Sequence, residues 1–181
     1  MNKRALLIFP VVFFILMLVL LLFGLGRNPS MVPSALVNRP LPEFLLPNLE
    51  LDATQSLTKI ASEDLIGGIS IINFWATWCP PCHIEHPYLV EISEQEQDLT
   101  FIGVNYKDNL DEARLFLEEK GSPFEKIIVD LDGSLGIDFG LAGAPETFIV
   151  DGLGMIRYRH VGVINHQIWE ENFMPVISRI E

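Results

Sequence analysis

Cysteine is scarce in this chain: of 181 residues only Cys79 and Cys82 carry a thiol, and they stand two residues apart. A disulfide between them would close a very small loop and constrain the unfolded chain weakly, so a stapled framework is excluded and the pair reads as chemical. Acidic residues are absent before Glu43, whereas Lys3, Arg4 and Arg27 flank an apolar N-terminus. Basic residues are few over the whole chain, 12 Lys and Arg against 24 Asp and Glu, and the formal net charge of -12 makes a body that repels nucleic acid and anionic lipid. Neither a G-x-G-x-x-G nor a G-x-x-x-x-G-K-[ST] pattern occurs, which leaves nucleotide binding without support. No internal repeat is present, and nothing outside the N-terminus has low complexity.

What the chain does have begins with that N-terminus. Ala5 to Leu25 is almost wholly apolar, close to the ~20 residues a helix needs to cross a bilayer core. A secretory signal has a shorter apolar region and an A-x-A-like cleavage site, and no such site follows here. The run therefore predicts an uncleaved transmembrane anchor, with Lys3 and Arg4 holding the N-terminus in the cytoplasm and the remainder exported. Pro10 is tolerable inside a membrane helix. The chain divides into a cytoplasmic N-terminus and anchor over residues 1–27, a Pro/Ser/Asn-bearing linker over 28–37, and a folded domain over 38–181.

Within the domain the hydrophobic pattern alternates between two periods. Ile69 to Trp75, Leu99 to Tyr106 and Lys126 to Asp130 read as strands buried on both faces. Leu110 to Lys120 reads as an amphipathic helix stopped by Gly121 and Pro123, and Ser62 to Leu65 and Ser134 to Phe139 as short helical turns. Thr147 to Asp151 and Met155 to Val161 form a hairpin about the Gly152–Gly154 turn. Leu41 to Pro47 suits a short edge strand because prolines bracket it, and Ile168 to Ile180 closes the chain as a helix. Strands alternating with helices, then a hairpin and a last helix, predict an α/β fold: a central mixed sheet with helices on both faces.

The cysteines fall where the first buried strand meets a helix beginning at Pro80-Pro81. A C-x-x-C pair can cycle between dithiol and disulfide, hold part of a metal site, or, since His83 follows directly, anchor a haem. Haem would also need an axial ligand such as Met155 or Met174, and the compact turn between F-W-A-T-W and the proline pair leaves little room for it. Copper or zinc would draw on Cys79, Cys82 and His83 or His86, a periplasmic metal chaperone with a weak ligand spacing. In the redox reading, free N–H groups and the helix dipole stabilise the thiolate of Cys79, the attacking residue. Cys82, one turn on and facing inward, resolves the mixed disulfide. Trp75 belongs to the core and Trp78 to the substrate face.

The string F-W-A-T-W-C-P-P-C resembles the thioredoxin superfamily, and Gly143 to Phe148 resembles its cis-proline loop. Together with the N-terminal run, W-C-P-P-C-x-x-E-H, Gly103 to Asp108 (G-V-N-Y-K-D) and Asp151 to His160, the chain resembles the DsbE/CcmG group of membrane-anchored periplasmic thiol:disulfide oxidoreductases. That resemblance implies a thioredoxin-like fold on an inner-membrane anchor. It implies reduction of the C-x-x-C-H disulfide of apocytochrome c, directly or in a haem-ligation complex, with electrons from a membrane reductase of the DsbD or CcdA type. No cofactor beyond the Cys79–Cys82 disulfide, no metal and no nucleic acid are expected. Cys79, Cys82, Glu85 and Glu146 are the expected catalytic residues, with Trp78, Pro80, Pro81, Ala144 and Pro145 lining the substrate. Both glutamates are expected near the thiols, opposing thiolate formation by like charge and serving proton transfer, so that loss of the Glu146 charge would lower the Cys79 pKa. Asn73 stands where ordinary thioredoxins carry a buried Asp. Ala142 stands where the group often has Tyr, which removes an aromatic contact from the groove.

Overall fold

The computed structural model describes residues 3–25, 36–49 and 58–180. The chain divides into two compact units, Met1–Val32 and Pro33–Glu181. The first contains helix α1 (Lys3–Leu25), interrupted by no charge after Arg4 and carrying exposed apolar side chains from Val12 to Leu22. Among the described residues no helix is long and apolar enough to cross a membrane. In α1 the side chains are described only at Phe9, Pro10 and Val12 to Leu22, so part of the expected anchor, and most of the expected linker, lies outside the described residues.

The second unit is built on a five-stranded mixed sheet. Its strands are β3 (Ile69–Trp75), β4 (Leu99–Tyr106), β5 (Lys126–Asp130), β6 (Glu146–Val150) and β7 (Ile156–Val161), in the order β5-β4-β3-β6-β7. β3, β4 and β5 are parallel, while β6 is antiparallel to both β3 and β7. The parallel pairs require crossovers, supplied by α2 (Pro80–Gln95) and α3 (Leu110–Lys120). Since β6 runs against β3, the start of β6 lies beside the end of β3: Phe74 registers with Glu146. This register brings the segment before Glu146 to the cysteine turn.

Side-chain alternation sorts the core into two layers. Ile71 and Trp75 of β3 join Phe101, Ile127 and Ile149, covered by Leu89 and Ile92 of α2, Leu117 of α3 and the C-terminal helix. On the other face Ile72 and Phe74 join Ile102, Ile128, Phe148 and Val150, covered by Leu135 of α4 (Ser134–Asp138) and Phe139. Phe74, Phe139 and Phe148 meet edge to face at centroid distances of 5.1, 5.8 and 5.0 Å. Each such pair adds about 0.5–1.5 kcal/mol beyond the area it buries. Gly103 is required by close packing: a Cβ there would lie 2.7 Å from Phe124 and 2.9 Å from Trp75 Nε1.

The strands and helices expected from the pattern are present, with the edge strand shortened to Leu45–Pro47, the second hairpin strand starting at Ile156, and several further differences. A strand not expected, β2 (Lys59–Ala61), pairs with β1 (Leu45–Pro47) in a separate ribbon. The ribbon reaches the β5 edge through Leu49 N–H donating to Ile127 O at 2.8 Å and Ile127 N–H donating to Asn48 Oδ1 at 3.0 Å, which blunts an open sheet edge. β6 begins one residue early, at Glu146. The closing helix is not continuous: α5 (His166–Ile168) passes through a π-turn (Trp169–Phe173) into α6 (Met174–Ile180). Pro175 lacks the N–H that Glu171 O would accept, and the preceding turn widens to i→i+5, with Met174 N–H reaching Trp169 O.

Candidate active site

Cys79 and Cys82 are joined by a disulfide, and both are buried, at 2% and 4% exposure. Exposure therefore does not distinguish the two, whereas their positions on the helix differ. Cys79 is the N-cap of α2, with extended backbone, and its Sγ accepts the Cys82 N–H at 3.3 Å. An N-cap side chain is served by the N–H groups of the second and third helical residues. Here the first two are Pro80 and Pro81, both exposed and without an N–H, so the Cys82 N–H is the cap donor that remains.

The turn leading to Cys79 is held from β4 and the loop after it. Asp108 accepts from Thr77 N at 2.7 Å, Thr77 Oγ1 at 2.6 Å, Asn105 Nδ2 at 2.8 Å and Asn109 N at 2.9 Å. Trp78, 55% exposed, donates its indole N–H to Lys107 O at 3.0 Å. Trp75 is buried and stacks between Phe116 and Phe124. Thr77, Asn105 and Asp108 are absent from the residues expected above; the G-V-N-Y-K-D string contains two of them, three residues apart, but assigns them no role, because the turn residue that Asp108 holds, Thr77, is 31 positions away.

Across the β3–β6 register stands the Ala144–Pro145 peptide, which is cis. The Ala144 carbonyl oxygen lies 3.4 Å from Cys79 Sγ, close enough to accept from the thiol in the reduced state. Gly162 N–H donates to Pro145 O at 3.0 Å and fixes the far side of the segment. Cys79, Trp78, Ala144 and Pro145 thus converge at one end of the sheet, with Pro80 and Pro81 beside them.

The two glutamates lie on opposite faces of the sheet. Glu85 follows Cys82 by three residues on the inward face of α2 and is 1% exposed. One oxygen accepts Asn73 Nδ2 at 2.9 Å and the other accepts Ile164 N at 2.9 Å. Burial pushes its carboxyl up to about 7, against which the hydrogen bonds from Ile164 and Asn73 act more weakly. Asn73 spends its second amide hydrogen on Thr147 Oγ1 at 2.9 Å, and its Oδ1 has no partner.

Glu146 lies on the opposite face of the sheet, in line with Phe148 and Val150. It is fully buried and paired: Arg159 Nε donates to Oε2 at 2.8 Å, and Ala142 N and Gly143 N donate to Oε1 at 2.7 and 3.3 Å. The carboxylate is thus matched by one guanidinium and two backbone N–H groups. Ala142 is exposed, and its N–H is part of this arrangement.

His83 and His86 both pack on Phe116, with ring centroids 4.8 and 4.7 Å away. Their Nε2 atoms bond Thr77 O at 2.7 Å and Gly121 O at 2.9 Å. Among the described residues no group of three or more His, Cys, Asp or Glu stands together as a metal site.

A disulfide at a helix N-cap, facing a cis-proline across a mixed sheet, is a thiol-exchange geometry, and the comparisons agree with it. The Redoxin family matches residues 37–174. The thiol:disulfide interchange protein DsbE of Allochromatium vinosum is 44% identical over 99% of this chain and 95% of its own length. The DsbE proteins of Pseudomonas aeruginosa and Escherichia coli are each 40% identical, over 98% and 96% of this chain and 96% and 94% of theirs. The chain belongs to the Redoxin family, in its DsbE group. It is thereby a thiol:disulfide oxidoreductase working through Cys79 and Cys82 in exchange with partner proteins. Its thioredoxin-like fold is shared with a secreted thiol-disulfide isomerase of Corynebacterium glutamicum, TM-score 0.67 at 21% identity over 84% of this chain and 96% of that one. A thiol:disulfide interchange protein of Chlorobium tepidum gives 0.62 at 23% identity over 78% and 94%.

Proposed function

We propose that this DsbE-type protein reduces the C-x-x-C-H disulfide of apocytochrome c before haem attachment, from an inner-membrane anchor with the domain in the periplasm. The observation that carries the reading is the place of Cys79 Sγ, capped by the Cys82 N–H and 3.4 Å from the carbonyl beside cis-Pro145. In the dithiol state the Cys79 thiolate attacks one sulfur of the partner disulfide, and the partner's other sulfur leaves as a thiolate and takes a proton. Cys82, having lost its proton, attacks Cys79 Sγ. The partner departs as a dithiol carrying two electrons, and the Cys79–Cys82 disulfide returns.

Glu85 is the base for Cys82. It sits one turn beneath it, and a carboxyl that titrates near neutrality is matched to a thiol proton. Asn73 serves both forms of that carboxyl: its amide N–H supports the anion, and its unpartnered Oδ1 becomes the acceptor for the protonated form once the amide turns over. Trp78 and the Ala144–Pro145 edge receive the substrate chain in an extended conformation. Re-reduction draws on a membrane thiol reductase of the DsbD or CcdA type. The apolar run from Ala5 to Leu25, preceded by Lys3 and Arg4, supports the anchor and the export of the domain.

The test is a trap. The full chain with Cys82→Ser is expected to accumulate a mixed disulfide through Cys79 with a C-x-x-C-H peptide and, in cells, with apocytochrome c identified by mass spectrometry. Cys79→Ser is expected to accumulate none. Trapping by Cys79→Ser instead, or trapped partners without C-x-x-C-H, would sink the proposal.

A further inference from the structure

Arg159 lies outside the cysteine pair and on the far face of the sheet from Glu85, yet it reaches the loop that carries Pro145. Its guanidinium sits 5.8 Å from the Phe148 ring centroid. From there Nε donates to Glu146 Oε2 at 2.8 Å and Nη2 donates to Gly140 O at 3.0 Å. Glu146 Oε1 in turn takes the N–H groups of Ala142 and Gly143. One arginine and one buried carboxylate thus hold three backbone groups of the Gly140–Gly143 loop.

The start of that loop is also tied to α4, Gly140 N–H donating to Ile137 O at 2.9 Å and Leu141 N–H to Gly136 O at 2.8 Å, but its second half has little else to fix it. Two of its four residues are glycine, Gly140 at φ 60, and Ala142 and Gly143 are exposed, leaving Leu141 as its packed side chain. Directly after it come Ala144, whose carbonyl faces Cys79 Sγ, and cis-Pro145. The planar fork of arginine suits a carboxylate and a carbonyl at once, which a lysine ammonium on a flexible stem does not hold in one geometry.

We propose that the Arg159–Glu146 pair is a clamp that positions the Ala144–Pro145 edge for an extended peptide, making Arg159 a positioning residue for peptide disulfides. It touches neither sulfur and acts through the backbone of residues 140–145. This rests on the reading above, in which that edge receives the substrate chain. Proton chemistry at Glu85 and backbone positioning at Glu146 are then separated by the sheet.

The experiment compares reduced full-chain protein carrying Arg159→Lys or Arg159→Gln with the wild type, on two disulfides: a synthetic C-x-x-C-H peptide and Ellman's reagent, too small to need the edge. Expected is a KM for the peptide raised about tenfold in Arg159→Lys, the effect of one lost charge-assisted hydrogen bond, with kcat nearly unchanged. The rate with Ellman's reagent is expected to stay at the wild-type value. If Arg159→Gln leaves Glu146 unpaired and does not fold, Arg159→Lys, which keeps the charge, still decides. An unchanged peptide KM, or equal losses on both disulfides, would overturn the clamp alone. Failure of the wild type to reduce the peptide at all would overturn the apocytochrome reading and the clamp with it.

Discussion

At Glu85 a carboxylate is held where water cannot reach it, and the carboxyl answers by titrating near 7 rather than at its ordinary 4.5. Its folded value lies above its unfolded one, so between those values the folded chain holds the extra proton. Stability contributed by the protonated group is complete below about 4.5, falls as pH rises toward 7, and is lost above it, on the order of 3 kcal/mol in all. Glu85→Gln should therefore flatten that slope and melt above the wild type near pH ~8, since the glutamine carbonyl can take the Ile164 N–H and its amide can donate to the unpartnered Asn73 Oδ1. Thermal melts across pH check this; a variant that keeps the wild-type slope would place the titrating group elsewhere. The same variant, with Cys82 intact, should slow resolution of the mixed disulfide by Cys82.

At the scale of the element, α2 is a helix whose first two positions withhold the N–H groups that would face Cys79. Pro81→Ala adds one donor at the second position, where the N-cap sulfur can accept it, while proline's preset φ is not needed for a helix this long. One hydrogen bond to a charged acceptor lowers the Cys79 pKa by about one unit and makes the protein a weaker reductant. A thiolate absorbance titration of the reduced chain measures the shift, and no change would show that the Cys82 N–H already saturates the sulfur. The closing helix teaches a different point about elements. Its apolar spacing over Ile168 to Ile180 is sound, but Pro175 acts one turn back from its own position, and the π-turn follows from that local rule.

For the whole molecule, the proposed anchor and the catalytic domain are separable in chemistry. Deletion of residues 1–27 should move the protein from the membrane to the soluble fraction and leave exchange with a C-x-x-C-H peptide in solution at the wild-type rate; fractionation and the peptide assay read the two outcomes, and a deleted chain still at the membrane would refute the anchor. What the sequence determined by itself is whatever short range dictates: the periods of β3, β4, β5 and α3, the hairpin, the Pro-Pro helix start, and a two-thiol unit whose spacing and setting point to exchange chemistry. What only the tertiary structure decided is partnership across the sheet. Glu85 and Glu146 look alike in sequence, each an acid near a motif, but antiparallel β6 and the inward face of α2 put them on opposite faces. One is left desolvated beneath Cys82 and titrates near neutrality, while the other meets Arg159. A carboxylate's role depends on which dipoles and ions surround it at a few ångströms, and the neighbours that set these two apart, Asn73 and Ile164 for Glu85 and Arg159 for Glu146, stand 12 to 79 positions away, beyond the reach of any local pattern.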